Sequence, residues 1–351
     1  MTLDIASLGW DAGFAAAYVP FQRPGYRPAR VTRVDRGVCT LLAADGAVRA
    51  GLGGGLLSRA ARDPSAVPCA GDWVALCAWP DRRTTIEAVL PRRTVVVRAA
   101  AGGQSHGHLL AANLDYAAVV EPMDPQPDPG RMERLLALAW ASGATPVVIL
   151  TKADLVRRPE RVVAQIGALA PGTEVVAVSA HSGAGLDRLR PMIQRGRTLG
   201  LLGPSGAGKS TLVNALAGTT VMVTQAIRRA DGRGRHTTSH RALIPLPGGG
   251  AVLDTPGLRG VGLQEEAADG LELVFADIDE LAAACRFRDC RHEREPGCAV
   301  RGALANGDLS ARRLDSWRRL HRELSWQGRR AASKQRYPQR RAAGGPRRPA
   351  G

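Results

Sequence analysis

Residues 198–217 read TLGLLGPSGAGKSTLVNALA, and this stretch decides the fold. It contains the complete pattern G-x-x-x-x-G-K-[ST], from Gly203 to Ser210. An apolar strand candidate, 198–202, comes before the pattern, and a helical run, 211–217, comes after it. A glycine-rich turn between a strand and a helix points several backbone N–H groups at one place, and the helix N-terminus adds positive potential. The stretch therefore predicts an α/β domain with a phosphate-binding loop of the P-loop class.

The predicted phosphate-binding residues are consecutive: Gly203, Pro204, Ser205, Gly206, Ala207, Gly208, Lys209, Ser210 and Thr211. We expect the Lys209 ammonium to reach the β- and γ-phosphates and the Ser210 hydroxyl to be a magnesium ligand. Lysine usage supports this, because only three of the 48 basic residues are lysines, and Lys152 and Lys209 both lie in nucleotide motifs. Where arginine replaces lysine almost everywhere, a retained lysine indicates a need for its compact ammonium.

A second motif, Asp254-Thr-Pro-Gly257, ends the apolar run 251–253. An aspartate at the C-terminal end of a strand can hold the Mg²⁺ shell, and the glycine amide can meet the γ-phosphate. Tetrapeptides of the form D-x-x-G also occur by chance in turns, so the motif is informative because of its distance after the phosphate-binding loop. We predict Asp254 and Gly257 to be catalytic-site residues.

Base recognition is predicted upstream, where the buried-strand candidate 147–150 runs directly into Thr151, Lys152, Ala153 and Asp154. This resembles the [NT]-K-x-D motif of GTPases, with Thr151 where Asn is commoner, a change that can remove one contact to guanine. The carboxylate of Asp154 would accept from the N1 and N2 donors of guanine, whereas adenine offers it the wrong edge. Ser179 and Ala180, after the apolar run 175–178, form a candidate loop whose amide meets the guanine O6.

The order of these motifs predicts a circularly permuted domain. Conventional GTPases place the base-reading motif after D-x-x-G, but past Asp254 the only lysine is Lys334, which lies near the C-terminus. The base-reading element must therefore lie upstream of the phosphate-binding loop. Permutation preserves the site because strand adjacency, rather than chain order, places the loops at the carboxyl edge of the sheet.

These motifs, together with Gly234-Arg-His-Thr-Thr-Ser-His-Arg241, resemble the RsgA (YjeQ) family of circularly permuted GTPases that act in late assembly of the small ribosomal subunit. The resemblance implies that 234–239 is switch I, in which Thr237 or Thr238 meets Mg²⁺ and the γ-phosphate. It also implies binding of GTP and GDP, ribosomal RNA of the small subunit as a partner, and the release of other assembly factors. We expect slow turnover by the isolated protein and stimulation by the subunit, because switch I should order only when the γ-phosphate and the docked subunit hold it.

The residue that orients the attacking water is not the one used by Ras-like enzymes. They carry Gln directly after D-x-x-G, where this chain has Leu258, whose apolar side chain cannot bind a water. His236 is the catalytic candidate, because imidazole can position water and titrates near neutral pH. Binding of RNA by His236, or capping of its own loop, remains an alternative.

Cys285, Cys290, His292 and Cys298 fall within fourteen residues and can form a closed tetrahedral Zn²⁺ site with a structural role. Disulfides are disfavoured in a cytosolic chain, and the intervening charged residues are too polar for a core that buries three apolar cysteines. The spacing agrees with the RsgA family. Beyond it, Leu314, Trp317, Leu320 and Leu324 form a stripe at helical spacing that predicts a packed helix. We expect this region to unfold by itself when the metal is lost.

Residues 29–97 read as short strands separated by turns, and Asp45-Gly46 is a hairpin signal. Pattern alone does not separate an OB-fold from an SH3-like barrel; the resemblance implies an OB-fold, and a barrel acting only as scaffold remains open. We predict a multidomain chain: 1–28 N-terminal extension, 29–98 all-β OB-like barrel, 99–108 linker, 109–262 circularly permuted α/β GTPase domain, 263–328 zinc-binding helical domain and 329–351 disordered basic tail.

The net charge of +16 over 351 residues predicts a polyanionic partner, either nucleic acid or an anionic membrane surface. Half of this charge lies in 328–351, which holds eight Lys and Arg and no acid. The sequence has no signal-peptide pattern and no apolar run of about 18 residues, so we expect a cytoplasmic monomer without a membrane partner. Two other functions stay open: an RNA-binding scaffold that holds GTP without turnover, and a GTPase that serves another RNA or metal delivery.

Overall fold

The N-terminal part of the chain is a closed barrel of five strands. The computed structural model describes residues 3–99, 107–222, 241–255, 262–263 and 267–342, with side chains up to residue 329. The barrel strands are β1 (Tyr26–Asp35), β2 (Val38–Ala43), β3 (Gly46–Leu52), β4 (Trp73–Ala78) and β5 (Thr84–Val89). Strand β1 pairs with both β2 and β4, and the pairs β2–β3, β3–β5 and β5–β4 complete the ring. The predicted OB-like barrel is confirmed.

Two helices near the barrel were not expected from the sequence, and one strand predicted for the barrel, 94–97, lies outside it. Helix α1 (Ala12–Tyr18) belongs to the N-terminal extension, and its Phe14 packs against Trp73 of β4 at 5.9 Å between ring centroids. Helix α2 (Gly54–Arg62) lies between β3 and β4. The last predicted strand of the barrel, 94–97, forms β6 (Val95–Arg98), which pairs outside the barrel with β7 (His108–Ala112).

The α/β domain contains six further strands: β8 (Tyr116–Pro122), β9 (Thr145–Thr151), β10 (Glu174–Ala177), β11 (Thr198–Leu202), β12 (Ala242–Pro245) and β13 (Ala251–Asp254). Their order is β10-β9-β8-β11-β13-β12, and only β12 is antiparallel to its neighbour. Strand β9 precedes β11 in the chain but lies two positions away from it, on the far side of β8. The sheet therefore confirms the circular permutation.

Helices cover both faces of this sheet: α3 (Pro129–Ala141), α4 (Pro159–Leu169) and α5 (Lys209–Ala217). Val148 and Leu150 of β9 belong to the core that includes α3, whereas Val147 and Ile149 belong to the core that includes α5. Strands buried on both faces read as continuous apolar runs. This is why the sequence showed β9 and β11 so clearly.

The barrel and the α/β domain are joined by main-chain pairing. Strand β12 pairs with β13 on one side and with β1 of the barrel on the other, where Arg33 faces Ala242. Arg30 of β1 is fully buried and donates to the carbonyl oxygens of Leu8, Gly71 and Asn113. The sheet thus runs without interruption from the barrel into the nucleotide-binding domain.

The C-terminal part consists of α6 (Ala268–Val274), α7 (Ala276–Ala283), α8 (Ala299–Asn306) and α9 (Ala311–Ala342). These helices share one apolar core with α3, to which Leu135, Leu271, Phe275 and Leu320 contribute. The predicted stripe on α9 is confirmed, because Leu314 and Leu320 are buried and Trp317 and Leu324 pack against the same core.

One prediction for the C-terminus is wrong. Residues 329–342 continue α9 as a helix, where the sequence was interpreted as a disordered tail. The prediction relied on missing apolar periodicity, but Ala, Arg, Lys and Gln have high intrinsic helix propensity and can extend an anchored helix. Residues 343–351 lie outside the described part of the chain. Among the described residues, no helix is long and apolar enough to cross a membrane.

Candidate GTP-binding site and metal centre

The phosphate-binding loop turns tightly between β11 and α5. Gly206 and Gly208 adopt left-handed φ angles of +85° and +81°, which side chains other than glycine rarely take. A Cβ atom at Gly203 would overlap the carbonyl oxygen of Val120 in the neighbouring strand. The loop therefore depends on its glycines for both its dihedral angles and its close approach to β8.

Lys209 begins α5 and folds back over the loop. Its ammonium donates to the carbonyl oxygens of Gly203 and Pro204, both at 2.9 Å, and the residue is only 7% exposed. Burial lowers the pKa of Lys209, while the negative charge of Asp254 acts in the opposite direction. A phosphate group at the loop would supply the anionic partner that the two carbonyl groups do not.

Asp254 ends β13, which lies directly beside β11. Its side chain is buried, and Oδ1 has no hydrogen-bond partner among the described residues. Burial raises the pKa of this carboxyl, although the nearby Lys209 lowers it. An orphaned carboxylate oxygen beside a phosphate-binding loop fits a magnesium ion, which binds hard oxygen ligands together with substrate phosphates. Ser210, the predicted hydroxyl ligand, is the second residue of α5.

The base-reading residues meet the phosphate-binding loop through one side chain. The Thr151 hydroxyl donates to the carbonyl oxygen of Ala207 at 2.7 Å, across 56 residues of sequence. Thr151 therefore has a structural role at the position where the sequence suggested a lost contact. The next residue, Lys152, has a left-handed φ of +59°, and its ammonium donates to the Asp124 carbonyl at 2.9 Å.

Asp154 and Ser179 bring the two predicted base-reading segments together. A hydrogen bond from Ser179 lowers the pKa of the Asp154 carboxyl, which is exposed and therefore open to a ligand. The two segments are joined at the ends of their strands, because the Ala153 N–H donates to the Val178 carbonyl and the Val178 N–H donates to the Leu150 carbonyl. This arrangement presents an ionised carboxylate at the carboxyl edge of the sheet.

Sequence reasoning missed Glu121 of β8. This carboxylate is fully buried and accepts from Nε and Nη2 of Arg131, both at 2.6 Å, and its charge acts on Lys209. An acidic residue inside the apolar run YAAVVEP, 116–122, was the signal that could have revealed it.

Several predicted site residues lie outside the described part of the chain: Gly257, Leu258, and switch I with His236, Thr237 and Thr238. The chain is described again at Arg241, whose guanidinium donates to the Leu109 carbonyl at 3.1 Å. This contact holds the chain at the residue directly before β12.

The four predicted metal ligands converge between α7 and α8. The ligand atoms of Cys285, Cys290, His292 and Cys298 all lie within 4.8 Å of one another. The Sγ atoms of Cys285 and Cys298 are 3.8 Å apart, and Nδ1 of His292 lies 3.6 and 3.4 Å from them. Two thiolates on a tetrahedral Zn²⁺ at about 2.3 Å would be about 3.8 Å apart. The donor set and its spacing therefore suit a metal ion.

The family model of the RsgA GTPase matches residues 89–264. A small ribosomal subunit biogenesis GTPase RsgA of Streptomyces coelicolor is 50% identical over 91% of this chain and 86% of that protein. The protein of the same name from Opitutus terrae is 43% identical over 93% and 92% of the two chains.

Solved structures show the same fold. YjeQ from Thermotoga maritima has 24% identity and a TM-score of 0.59, covering 85% of this chain and 98% of its own. YloQ, described as a circularly permuted GTPase, has 22% identity and a TM-score of 0.57, covering 87% and 96%.

Proposed function

This chain belongs to the RsgA GTPase family and is a GTP-hydrolysing enzyme, and we propose that hydrolysis accompanies docking on the small ribosomal subunit. In this proposal the enzyme acts in the cytoplasm as a monomer, during late maturation of the subunit, and promotes release of other assembly factors. Support comes from the names of relatives that match over most of their length, and from the net charge of +16, which suits ribosomal RNA.

One observation carries the nucleotide assignment: the Thr151 hydroxyl links the base-reading segment to the phosphate-binding loop at 2.7 Å. Guanine would lie against Asp154, with Ser179 and Ala180 beside it and the Lys152 stem over the ring. The phosphates would lie in the loop 203–211. The family implies Mg²⁺ with the nucleotide, and we assign the ion to Ser210 and Asp254, whose unpartnered Oδ1 supports this.

The chemical step needs a group that orients water, and we assign it to His236, with Thr237 or Thr238 and the Gly257 amide meeting the γ-phosphate. Mg²⁺ would neutralise charge on the β- and γ-phosphates, and Lys209 would add a second positive charge. With His236→Ala we expect subunit-stimulated turnover to fall roughly 10²-fold at unchanged GTP affinity. A His236→Ala enzyme that responds normally to the subunit would assign the water to the ribosome instead.

We propose that the Cys3His centre holds one structural Zn²⁺ per chain, since all four positions of a tetrahedron are taken by protein ligands. A closed site leaves no position for a substrate, so the metal would hold the C-terminal helices rather than take part in hydrolysis.

The decisive experiment compares GTP turnover with and without purified small ribosomal subunits. We expect slow turnover alone and a clear stimulation by the subunit. A scaffold that merely holds GTP would co-sediment with subunits but show no stimulated turnover. Co-sedimentation with GDP and with a non-hydrolysable GTP analogue then shows whether docking depends on the γ-phosphate, and equal binding in both states would contradict a nucleotide-controlled release.

A further inference from the structure

A buried ion pair joins the strand beside the phosphate-binding loop to helix α3. Glu121 is fully buried near the end of β8, and its two carboxylate oxygens accept from Nε and Nη2 of Arg131, both at 2.6 Å. This is the bidentate geometry that guanidinium and carboxylate groups favour. A carboxylate removed from water needs such a partner, because an uncompensated buried charge strongly destabilises a fold.

The main chain of Glu121 reaches the phosphate-binding loop through Thr151. The Thr151 hydroxyl, which donates to the Ala207 carbonyl at 2.7 Å, also approaches the Glu121 carbonyl at 3.4 Å. The preceding residue of β8 is equally close, since a Cβ atom on Gly203 would lie 2.3 Å from the Val120 carbonyl oxygen. The Glu121 carboxylate is therefore carried by the strand against which the loop packs.

Two carboxylates act on the ammonium of Lys209, and one of them lies outside the predicted motifs. Burial lowers the pKa of Lys209, and the negative charges of Asp254 and Glu121 oppose this. Asp254 has the unpartnered oxygen that we assign to Mg²⁺, whereas Glu121 is paired with a guanidinium. Phosphates in the loop would be exposed to the charge of Glu121 as well, and like charges repel. The positive charge of Arg131 offsets that repulsion.

We propose that Arg131 is a positioning residue of the nucleotide site, which holds Glu121 and compensates its charge so that the loop can bind a polyphosphate. This inference rests on the proposed nucleotide site. Each phosphate added to the nucleotide brings further negative charge to the loop, so the compensation matters least for GMP and most for GTP. Arg131 thereby sets how strongly the site distinguishes guanine nucleotides by their number of phosphates.

The guanidinium of Arg131 can be removed without disturbing the start of α3. Asp128 caps this helix, and its carboxylate accepts from the main-chain N–H of Arg131 at 3.1 Å. Any side chain at position 131 except proline keeps this bond. The Arg131 side chain is 33% exposed, so a glutamine can extend into solvent there. The substitution Arg131→Gln therefore changes chiefly the charge beside Glu121.

The barrel offers a matched control pair. Arg92 donates from Nε and Nη2 to the two oxygens of Asp72, both at 2.8 Å, and Asp72 is also fully buried. Asp72 lies directly before β4, in the barrel rather than in the α/β domain. The substitution Arg92→Gln removes the guanidinium from a buried carboxylate of the same geometry. It therefore measures what such a loss does to the fold alone.

The test measures dissociation constants for GMP, GDP and a non-hydrolysable GTP analogue in the full-length protein at fixed Mg²⁺. We expect Arg131→Gln to weaken binding of the GTP analogue about 30-fold, of GDP about 10-fold and of GMP about threefold. Arg92→Gln should leave all three constants within about twofold, although both variants should melt at a lower temperature. Equal losses for the three nucleotides, or losses of the same size in Arg92→Gln, would overturn the proposal.

Removing the second charge should restore binding. Glu121→Gln combined with Arg131→Gln leaves neither charge, so we expect affinity for the GTP analogue to return to within about threefold of wild type. A double variant as weak as Arg131→Gln would show that the loss is not electrostatic and would overturn the proposal.

Glu121→Gln alone decides the question if Arg131→Gln does not fold. It leaves the Arg131 cation unpaired, so the affinity for the GTP analogue relative to GDP should rise at least about threefold. An unchanged ratio would overturn the proposal. The proposed nucleotide site is tested separately by Lys209→Ala: affinity for the GTP analogue that does not fall in this variant would overturn the site itself.

Discussion

The nucleotide-binding edge and the metal centre are held together by different interactions. At the nucleotide site, main-chain hydrogen bonds between parallel strands fix the loops, and Thr151 closes the gap to Ala207. At the metal centre, His292 and the thiols of Cys285 and Cys298 face one another at 3.4–3.8 Å, and no strand or helix separates α7 from α8. The first site is preformed by the sheet, whereas the second is a cluster of four side chains whose spacing suits a metal ion.

The metal centre shares its apolar core with one face of the sheet. The sheet has a core on each face, and the face that includes α3 also carries α6 to α9. Partly buried Cys285 and Cys290 and buried Cys298 all belong to this shared core. The metal centre is therefore not an appendage of the GTPase domain, and losing the metal should be felt beyond its own loop.

The largest effect is predicted for the metal ligands. Cys290→Ala should abolish stoichiometric metal binding and destabilise the protein by at least about 3 kcal/mol, because binding at such a site contributes directly to folding. The separate unfolding expected from the sequence is revised: α3 should lose hydrogen-exchange protection together with α6 to α9. The central strand β11 should keep its protection.

Cys77→Ala is the control for removing a buried thiol, since Cys77 lies at 4% exposure in the barrel. It should leave metal content unchanged and cost about 1 kcal/mol, the range expected for one small buried group. Protection of α3 that survives metal loss would contradict the shared core. Purified protein without near-stoichiometric zinc would contradict the assignment of the metal.

The second prediction concerns a substitution at the nucleotide site that should leave the fold unchanged. Asp154→Asn replaces the acceptor for guanine N1–H and N2–H2 with a group that also donates, at a cost of roughly 2–4 kcal/mol in GTP binding. Xanthosine nucleotides should gain affinity in the same variant. Because Asp154 is exposed, the melting temperature should stay within about one degree of wild type. Unchanged affinity for GTP would contradict the assignment of Asp154 to guanine recognition.

The sequence predicted local features of both sites well. The strand 198–202, the phosphate-binding loop and the four-residue ligand cluster follow from spacing within short windows, and the structure places them accordingly. The fully buried strands carry their own signal, because most of the residues on both of their faces are apolar.

Contacts between distant segments left no such signal. The pairing of β1 with β12 joins Arg33 to Ala242, and Glu323 reaches Leu263 across 60 residues. In the sequence none of these residues differs in type from its neighbours. Glu323, for example, lies in a highly charged helix, where a glutamate is expected to contact solvent. The helix over 329–342 was missed for another reason, because helix propensity, not apolar periodicity, decides whether an anchored helix continues.

A third, smaller effect concerns the balance between stability and activity at Asp254. Burial raises its pKa in the folded protein, so its contribution to stability is greatest when it is protonated and is lost as pH rises through the folded pKa. At neutral pH the ionised, unpartnered carboxylate therefore lowers the free energy of unfolding of the nucleotide-free protein. Asp254→Asn should raise the stability of the nucleotide-free protein at neutral pH by about 1 kcal/mol and flatten the pH dependence of stability between the unfolded and the folded pKa of this carboxyl.

The same variant should lose most of its Mg²⁺-dependent turnover, which separates a functional carboxylate from a structural one. Urea unfolding across a pH series, without nucleotide, measures the first effect, and single-turnover hydrolysis measures the second. Destabilisation of the nucleotide-free protein would show that Asp254 has a partner that the folded chain needs.

The smallest effect distinguishes two buried threonine hydroxyls at opposite ends of the sheet. Thr151 donates to Ala207 at the nucleotide edge, whereas Thr198, at the start of β11, has a buried Oγ1 without a partner among the described residues. Both side chains are buried, at 3% and 0% exposure, and valine has nearly the same shape. The two Thr→Val substitutions therefore differ chiefly in whether a hydrogen bond is lost.

Thr151→Val leaves the Ala207 carbonyl unpaired beside the phosphate-binding loop, so we expect a loss of about 1 kcal/mol in GDP affinity, close to fivefold. Thr198→Val removes a hydroxyl that was buried without compensation, so we expect unchanged affinity and stability that is equal or up to about 1 kcal/mol higher. Calorimetric titration with GDP and urea unfolding measure the pair side by side. If both variants weaken GDP binding equally, the Thr151 hydroxyl does not hold the loop, and the preformed character of the nucleotide edge must come from main-chain pairing alone.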